Sequence, residues 1–150
     1  MAKILITGAS GFVGKRLILH LLNQGHQIYA LNRVKGIKIF AEDLPNLHYI
    51  WGDLRNTETL KSIPADIEAA YYLVHSMSDI VSNLADVERQ VTEQFLAGIK
   101  NTQIKQIIYL GGIINDETLL SPHLKSRLLV EQTLRQSSIP VTILRASIII

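Results

Sequence analysis

Three glycines at positions 8, 11 and 14, in the run Thr7-Gly8-Ala9-Ser10-Gly11-Phe12-Val13-Gly14, are spaced for one chemical task. An apolar run, Ile4-Leu5-Ile6, precedes them, and a segment with helical periodicity follows. A strand that turns through glycines into a helix holds the pyrophosphate of a dinucleotide. The turn is tight, the backbone must approach phosphate oxygens, and the new helix must pack closely on the sheet. Each demand is easiest to meet without a side chain. Unpaired N–H groups at the helix start then face the ligand, and the helix dipole favours its negative charge. The spacing departs from the commonest fingerprint, G-x-G-x-x-G, so the reading rests on the strand before and the helix after.

A second chemical place is Asn32-Arg33. Dinucleotide folds put an acid roughly twenty residues past the glycines, where it accepts hydrogen bonds from the adenine ribose. Asn32 stands there instead, followed by Arg33, with Lys35 and Lys38 beyond. A guanidinium at that point forms charge-assisted bonds to a 2′-phosphate and stacks on adenine, which favours NADP over NAD. The plainer alternative is an exposed loop arginine. Asp53, in Gly52-Asp53-Leu54, is placed either to accept from the adenine amino group or to cap the next helix. His75 follows the apolar run Leu73-Val74 and is either a group beside the cofactor or a packing residue.

Composition narrows the classes. The 150 residues are 47% hydrophobic and 19% charged, which describes one globular domain with a sizeable core. A net charge of +2 gives no reason to expect nucleic acid or a membrane surface. With no cysteine there is no disulfide framework and no thiolate nucleophile. No apolar run reaches the ~18 residues of a membrane span, so cytoplasmic residence is the default expectation. Gly8-Ala9-Ser10-Gly11-Phe12 is not the G-x-S-x-G of a hydrolase. His20, His26, His48, His75 and His123 share no metal-ligand spacing, so no metal is expected.

The elements that must hold these residues alternate. Strands are expected at 4–6, 27–31, 47–51, 69–74, 105–110 and 141–144. Helices are expected after the glycines up to Gly25, at 57–63, at 79–99 and at 122–136, with short connections. On the third helix, Leu84, Val87, Val91 and Phe95 form the apolar stripe, with Glu88 placed away from it. The fold class is α/β, a doubly wound Rossmann-type parallel sheet of order 3-2-1-4-5-6 with helices on both faces. Its ligand crevice lies between the first and fourth strands. Leu124, Leu128, Leu129, Val130 and Leu134 give the last helix a wide apolar surface that suits a partner.

The chain resembles the short-chain dehydrogenase/reductase superfamily in its extended and atypical branches, which include NmrA-like and nucleoside-diphosphate-sugar epimerase-like proteins. The resemblance is carried by the glycine run, Gly52-Asp53-Leu54, Tyr72-Leu73-Val74-His75, Ile107-Ile108-Tyr109-Leu110-Gly111-Gly112, Ser121-Pro122-His123-Leu124-Lys125-Ser126-Arg127 and Val141-Thr142-Ile143-Leu144-Arg145. It implies cofactor contacts from Gly8, Ala9, Ser10, Gly11, Phe12, Val13, Gly14, Asn32, Arg33, Asp53, Leu54, Leu73, Val74, His75 and Gly111. The superfamily's Tyr-x-x-x-Lys pair is absent. His123 falls at the tyrosine position and Arg127 at the lysine position, and Gly111-Gly112 replaces the helper hydroxyl. The resemblance implies an NADP-dependent oxidoreductase or epimerase-like enzyme acting on a small molecule, or a non-catalytic NADP sensor that regulates a partner protein. Homodimers through the two long helices are common among relatives. Extended members continue into a substrate lobe, so residues 1–150 are expected to be the N-terminal part of a longer protein.

Overall fold

The computed structural model describes residues 1–75 and 83–147. The strands are β1 (Lys3–Thr7), β2 (Gln27–Asn32), β3 (Leu47–Trp51), β4 (Ala69–Tyr72), β5 (Gln106–Gly112) and β6 (Val141–Ala146). They form one sheet of order β3-β2-β1-β4-β5-β6, every pairing parallel, as the alternating pattern implies. The order reverses between β1 and β4, where Thr7 registers with Tyr72, and doubly wound sheets place their ligand crevice outside the strands' C-terminal ends at such a switch point.

Successive residues of a strand point to opposite faces, and β1 shows the result. Ile4 and Ile6 join Ile18 and Leu21 of α1 (Phe12–Asn23) in one core, with Ile28 and Ala30. Leu5 joins the other core, which holds Tyr72, Phe95, Tyr109, Val130 and Leu134. That second face is covered by α2 (Leu84–Gly98) and α3 (Pro122–Arg135), which pack on each other. Gly25 follows α1 with φ +82°, the left-handed stop its position suggests.

Several expectations need correction. Thr57–Ser62 is a 3₁₀ helix rather than an α-helix. Its Thr59 hydroxyl is committed to the Asp53 and Asn56 carbonyls, and Pro64 follows directly. The connection over 33–46 is long and carries no helix; it is tied down by Asn32 Nδ2 donating to the Ile37 carbonyl and by the Tyr49 hydroxyl accepting from Ile39 N–H. Glu88 is buried, so the inner stripe of α2 runs Leu84, Glu88, Thr92, Phe95. Its polar members are used internally: Thr92 Oγ1 donates to the Glu88 carbonyl at 2.7 Å and meets the Tyr72 hydroxyl at 3.2 Å. The expected start of that helix, at 79–82, lies outside the described residues, as do Ser76 and Ile148-Ile149-Ile150. On α3, Val130 and Leu134 lie in the protein's own core and Leu124 lies against Gly112. Only Leu128 and Leu129 of the expected apolar surface remain, half-buried.

Candidate functional site

The glycine turn sits at the crevice, and its glycines serve different ends. Gly8 has φ +66°, and a Cβ there would lie 2.7 Å from the Leu73 carbonyl oxygen. A Cβ on Gly14 would lie 2.4 Å from the Gly8 oxygen and 2.8 Å from that of Ala9. Gly8 and Gly14 are therefore demanded by the turn's own closure and by α1 seating on it. Gly11 is exposed and would meet only the Gly8 oxygen, at 3.2 Å, so it borders the open side. Gly11 N–H donates to the Gly8 carbonyl at 3.0 Å and closes the turn. As N-cap of α1, Gly11 offers no side-chain acceptor, so the first amides of the helix, from Phe12, Val13 and Gly14, face the crevice uncapped. Uncapped amides at a positive helix end, with small residues in front, fit an anionic pyrophosphate. Ala9 is buried, Val13 is half-buried, and Ser10 and Phe12 are exposed at the rim, where the Arg16 guanidinium stacks 3.6 Å from the Phe12 ring centre.

Sequence reasoning missed a role for Thr7. It is fully buried; its hydroxyl donates to the Tyr71 carbonyl and accepts from Leu73 N–H, both at 3.2 Å. The end of β4 is thus latched to the residue before the turn. The available signal was a lone hydroxyl ending an otherwise apolar strand.

At the end of β2, Asn32 is buried and its amide is spent on Ile37, while Arg33 is exposed beside it. Gly52 N–H donates to the Asn32 carbonyl at 2.9 Å, which brings Asp53 next to Arg33 across neighbouring strand ends. Asp53 accepts from Arg55 four times: Oδ1 from the backbone N–H at 2.9 Å, Oδ1 and Oδ2 from a shared Nε at 3.0 and 3.2 Å, and Oδ2 from Nη2 at 2.6 Å. Arg55, first by these bonds, holds the Asp53 carboxyl below its usual range, against the opposing effect of burial. The side chain of Leu54 lies in the core.

At the other end, Leu73 packs with the α1-side core and Val74 with the opposite one. His75 lies edge-on to Tyr109, ring centres 6.1 Å apart. Burial, followed by the Arg127 charge, lowers its pKa to about 4, so the imidazole is neutral near pH 7. The Arg127 stem runs beside β5: a Cβ on Gly112 would lie 3.4 Å from Arg127 Cδ and 2.6 Å from Leu124 Cδ2. Tyr109 donates its hydroxyl to the Arg127 carbonyl at 3.3 Å, and burial raises its pKa, as it does that of Tyr72. Neither phenol is therefore a base at neutral pH. Gly111 is buried one residue before Gly112. His123 lies one turn before Arg127, exposed in the first turn of α3. The structure thus brings Arg127, His75 and Gly112 together, with His123 exposed one helical turn before Arg127. Among the described residues no group of acids and histidines could hold a metal ion, and no helix is long and apolar enough to cross a membrane.

A glycine cradle at the switch point of a doubly wound sheet defines a dinucleotide-binding domain. The model of the NAD(P)H-binding family matches residues 8–150, and the chain belongs to that family. A 3-beta-hydroxysteroid dehydrogenase from Mycolicibacterium neoaurum is 27% identical over 74% of this chain and 29% of its own length. A UDP-glucose 4-epimerase from Halalkalibacterium halodurans is 27% identical over 81% of this chain and 31% of its own. The triphenylmethane reductase of Citrobacter sp. shares the fold with a TM-score of 0.79, at 23% identity, over 97% of this chain and 49% of that one. The chain spans about a third of the length of these two curated relatives and about half of that solved structure.

Proposed function

We propose that this chain is the NADP-binding domain of an oxidoreductase, a cytoplasmic enzyme that acts on a small molecule. The observation that carries the reading is the uncapped α1 N-terminus behind a turn in which Gly8 and Gly14 admit no side chain. The exposed Arg33, with Asn32 in place of the usual ribose-binding acid, supports NADP over NAD. A bound nicotinamide supplies a hydride. In this reading the Arg127 guanidinium holds the nicotinamide ribose or a developing oxyanion near Gly112. Neutral His75 walls the crevice, and the exposed His123 imidazole is the proton donor and acceptor of this reading.

The sheet also supports the reading of a second lobe. Parallel sheets are covered on both faces, and among the described residues the main strand contacts of α1 are with β1 and β2. Beyond it, Leu110 pairs with Leu144, which is 51% exposed, and Ile113 next to β5 is 45% exposed. A substrate-binding lobe is the natural cover for that surface.

The test is NADPH oxidation by the full-length protein over a panel of carbonyl compounds and enones. The reading expects turnover that falls by at least roughly tenfold in Arg127→Ala and in His123→Phe. Tight NADPH binding with no turnover on any acceptor would refute the oxidoreductase reading and favour a sensor.

A further inference from the structure

Arg33 alone does not explain a preference for a 2′-phosphate, because its immediate neighbour is an acid. The Gly52-to-Asn32 hydrogen bond sets the ends of β2 and β3 side by side, so Asp53 stands next to Arg33. A bare carboxylate there would repel a phosphate and cancel the arginine's charge over the few ångströms that matter. Arg55 removes that obstacle. Its Nε and Nη2 grip both carboxylate oxygens at 3.0 and 2.6 Å in a fork-to-fork pair, while its own N–H fixes Oδ1 at 2.9 Å. Arg33 is exposed and makes no ion-pair contact among the described residues. The three side chains, two cations and one anion, carry one net positive charge at the place where NADP and NAD differ.

We infer that Arg55 is a specificity-determining residue for the 2′-phosphate, acting by neutralising Asp53 so that Arg33 is left with an uncompensated charge. This rests on the NADP reading above and adds to it the reason that reading survives an acid at the adenine end. Arg55 is a positioning residue, since it works through Asp53. It has a structural function as well, because the Asp53–Arg55 contacts shape the turn that leads into Thr57–Ser62. The test must separate the two.

The readout is the ratio of NADPH to NADH affinity, measured by titration calorimetry, which cancels any loss common to both cofactors. In Arg55→Ala the net charge of the group falls to zero and the ratio drops roughly five- to tenfold, with NADH affinity nearly unchanged. Adding Asp53→Asn to that variant restores the net charge, and with it the ratio, to within about threefold of wild type. The asparagine keeps an acceptor for the Arg55-position N–H and so preserves the turn. If Arg55→Ala weakens both cofactors equally, or if Asp53→Asn fails to rescue the ratio, Arg55 is structural and the inference is overturned. If Arg33→Ala lowers the ratio but Arg55→Ala leaves it unchanged, the inference fails while the NADP reading stands. If wild type shows no preference, both fall.

Discussion

Gly14→Ala puts two well-known effects in opposition, and the structure says which wins. Alanine is favoured over glycine in a helix, by about 0.8–1.0 kcal/mol in the interior and by less in the first turn where Gly14 sits, so propensity alone expects a more stable protein. The added Cβ, however, would stand 2.4 Å from the Gly8 oxygen, 2.8 Å from the Ala9 oxygen and 2.9 Å from the Ala9 carbonyl carbon. All three are backbone atoms, and Gly8 is itself held at φ +66° by the closeness of Leu73. No rotamer change relieves the overlap. Either α1 lifts off the turn or the turn deforms, and overpacking of this kind costs about 1–3 kcal/mol or more. The expected net result is a destabilisation of about 1–2 kcal/mol, read as a lower urea midpoint at unchanged slope. NADPH affinity falls with it by at least roughly tenfold, because the amides that meet the pyrophosphate move. Gly25→Ala is the control: its φ of +82° makes alanine strained, but nothing lies within 4 Å and it is remote from the crevice. It loses stability and keeps affinity. A Gly14→Ala protein at least as stable as wild type, with wild-type affinity, would refute the packing of the turn.

The pH dependence of stability carries the signature of His75. Its pKa, about 4 when folded, lies below the ordinary value of 6.5, so the unfolded chain takes up the proton first as pH falls. Its contribution is intact above about pH 6.5 and is lost progressively down to about pH 4, by up to about 3 kcal/mol before solvent screening is discounted. Urea unfolding of wild type and His75→Gln across that window should show the smaller acid loss in the variant; identical pH profiles would count against it. Because the Arg127 charge is the second cause of the shift, Arg127→Gln should move the His75 titration upward in a histidine NMR experiment, and no movement would separate the two groups in space.

Much of the fold was legible because period and punctuation agree. Ile4-Leu5-Ile6 ahead of three glycines, apolar runs at β2, β4 and β5, and Gly25 after α1 each have one cheap conformation, and together they leave one sheet order. Glu88 was not legible, since hydropathy places a carboxylate outside whatever the helix phase; the polar strip it shares includes Thr92, whose hydroxyl meets that of Tyr72, twenty residues away in sequence. The irregular segment 33–46 was hidden for a similar reason. It is held by Asn32 and Tyr49, whose hydrogen bonds no local pattern announces. At the site, the glycine turn was readable to the residue, because steric demand selects a residue type. Arg55 and Thr7 were not, because their importance lies in a partner brought close by folding: Asp53 for one, Leu73 N–H for the other.

The central claim is that the glycine turn and the Arg33 corner form one site that reads the 2′-phosphate. Titration calorimetry of NADPH and NADH into the wild-type protein at low salt tests it most directly. One site per chain is expected, with NADPH bound more tightly by at least roughly tenfold, about 1.4 kcal/mol. Equal affinity for the two cofactors, or no saturable binding of either, would contradict it.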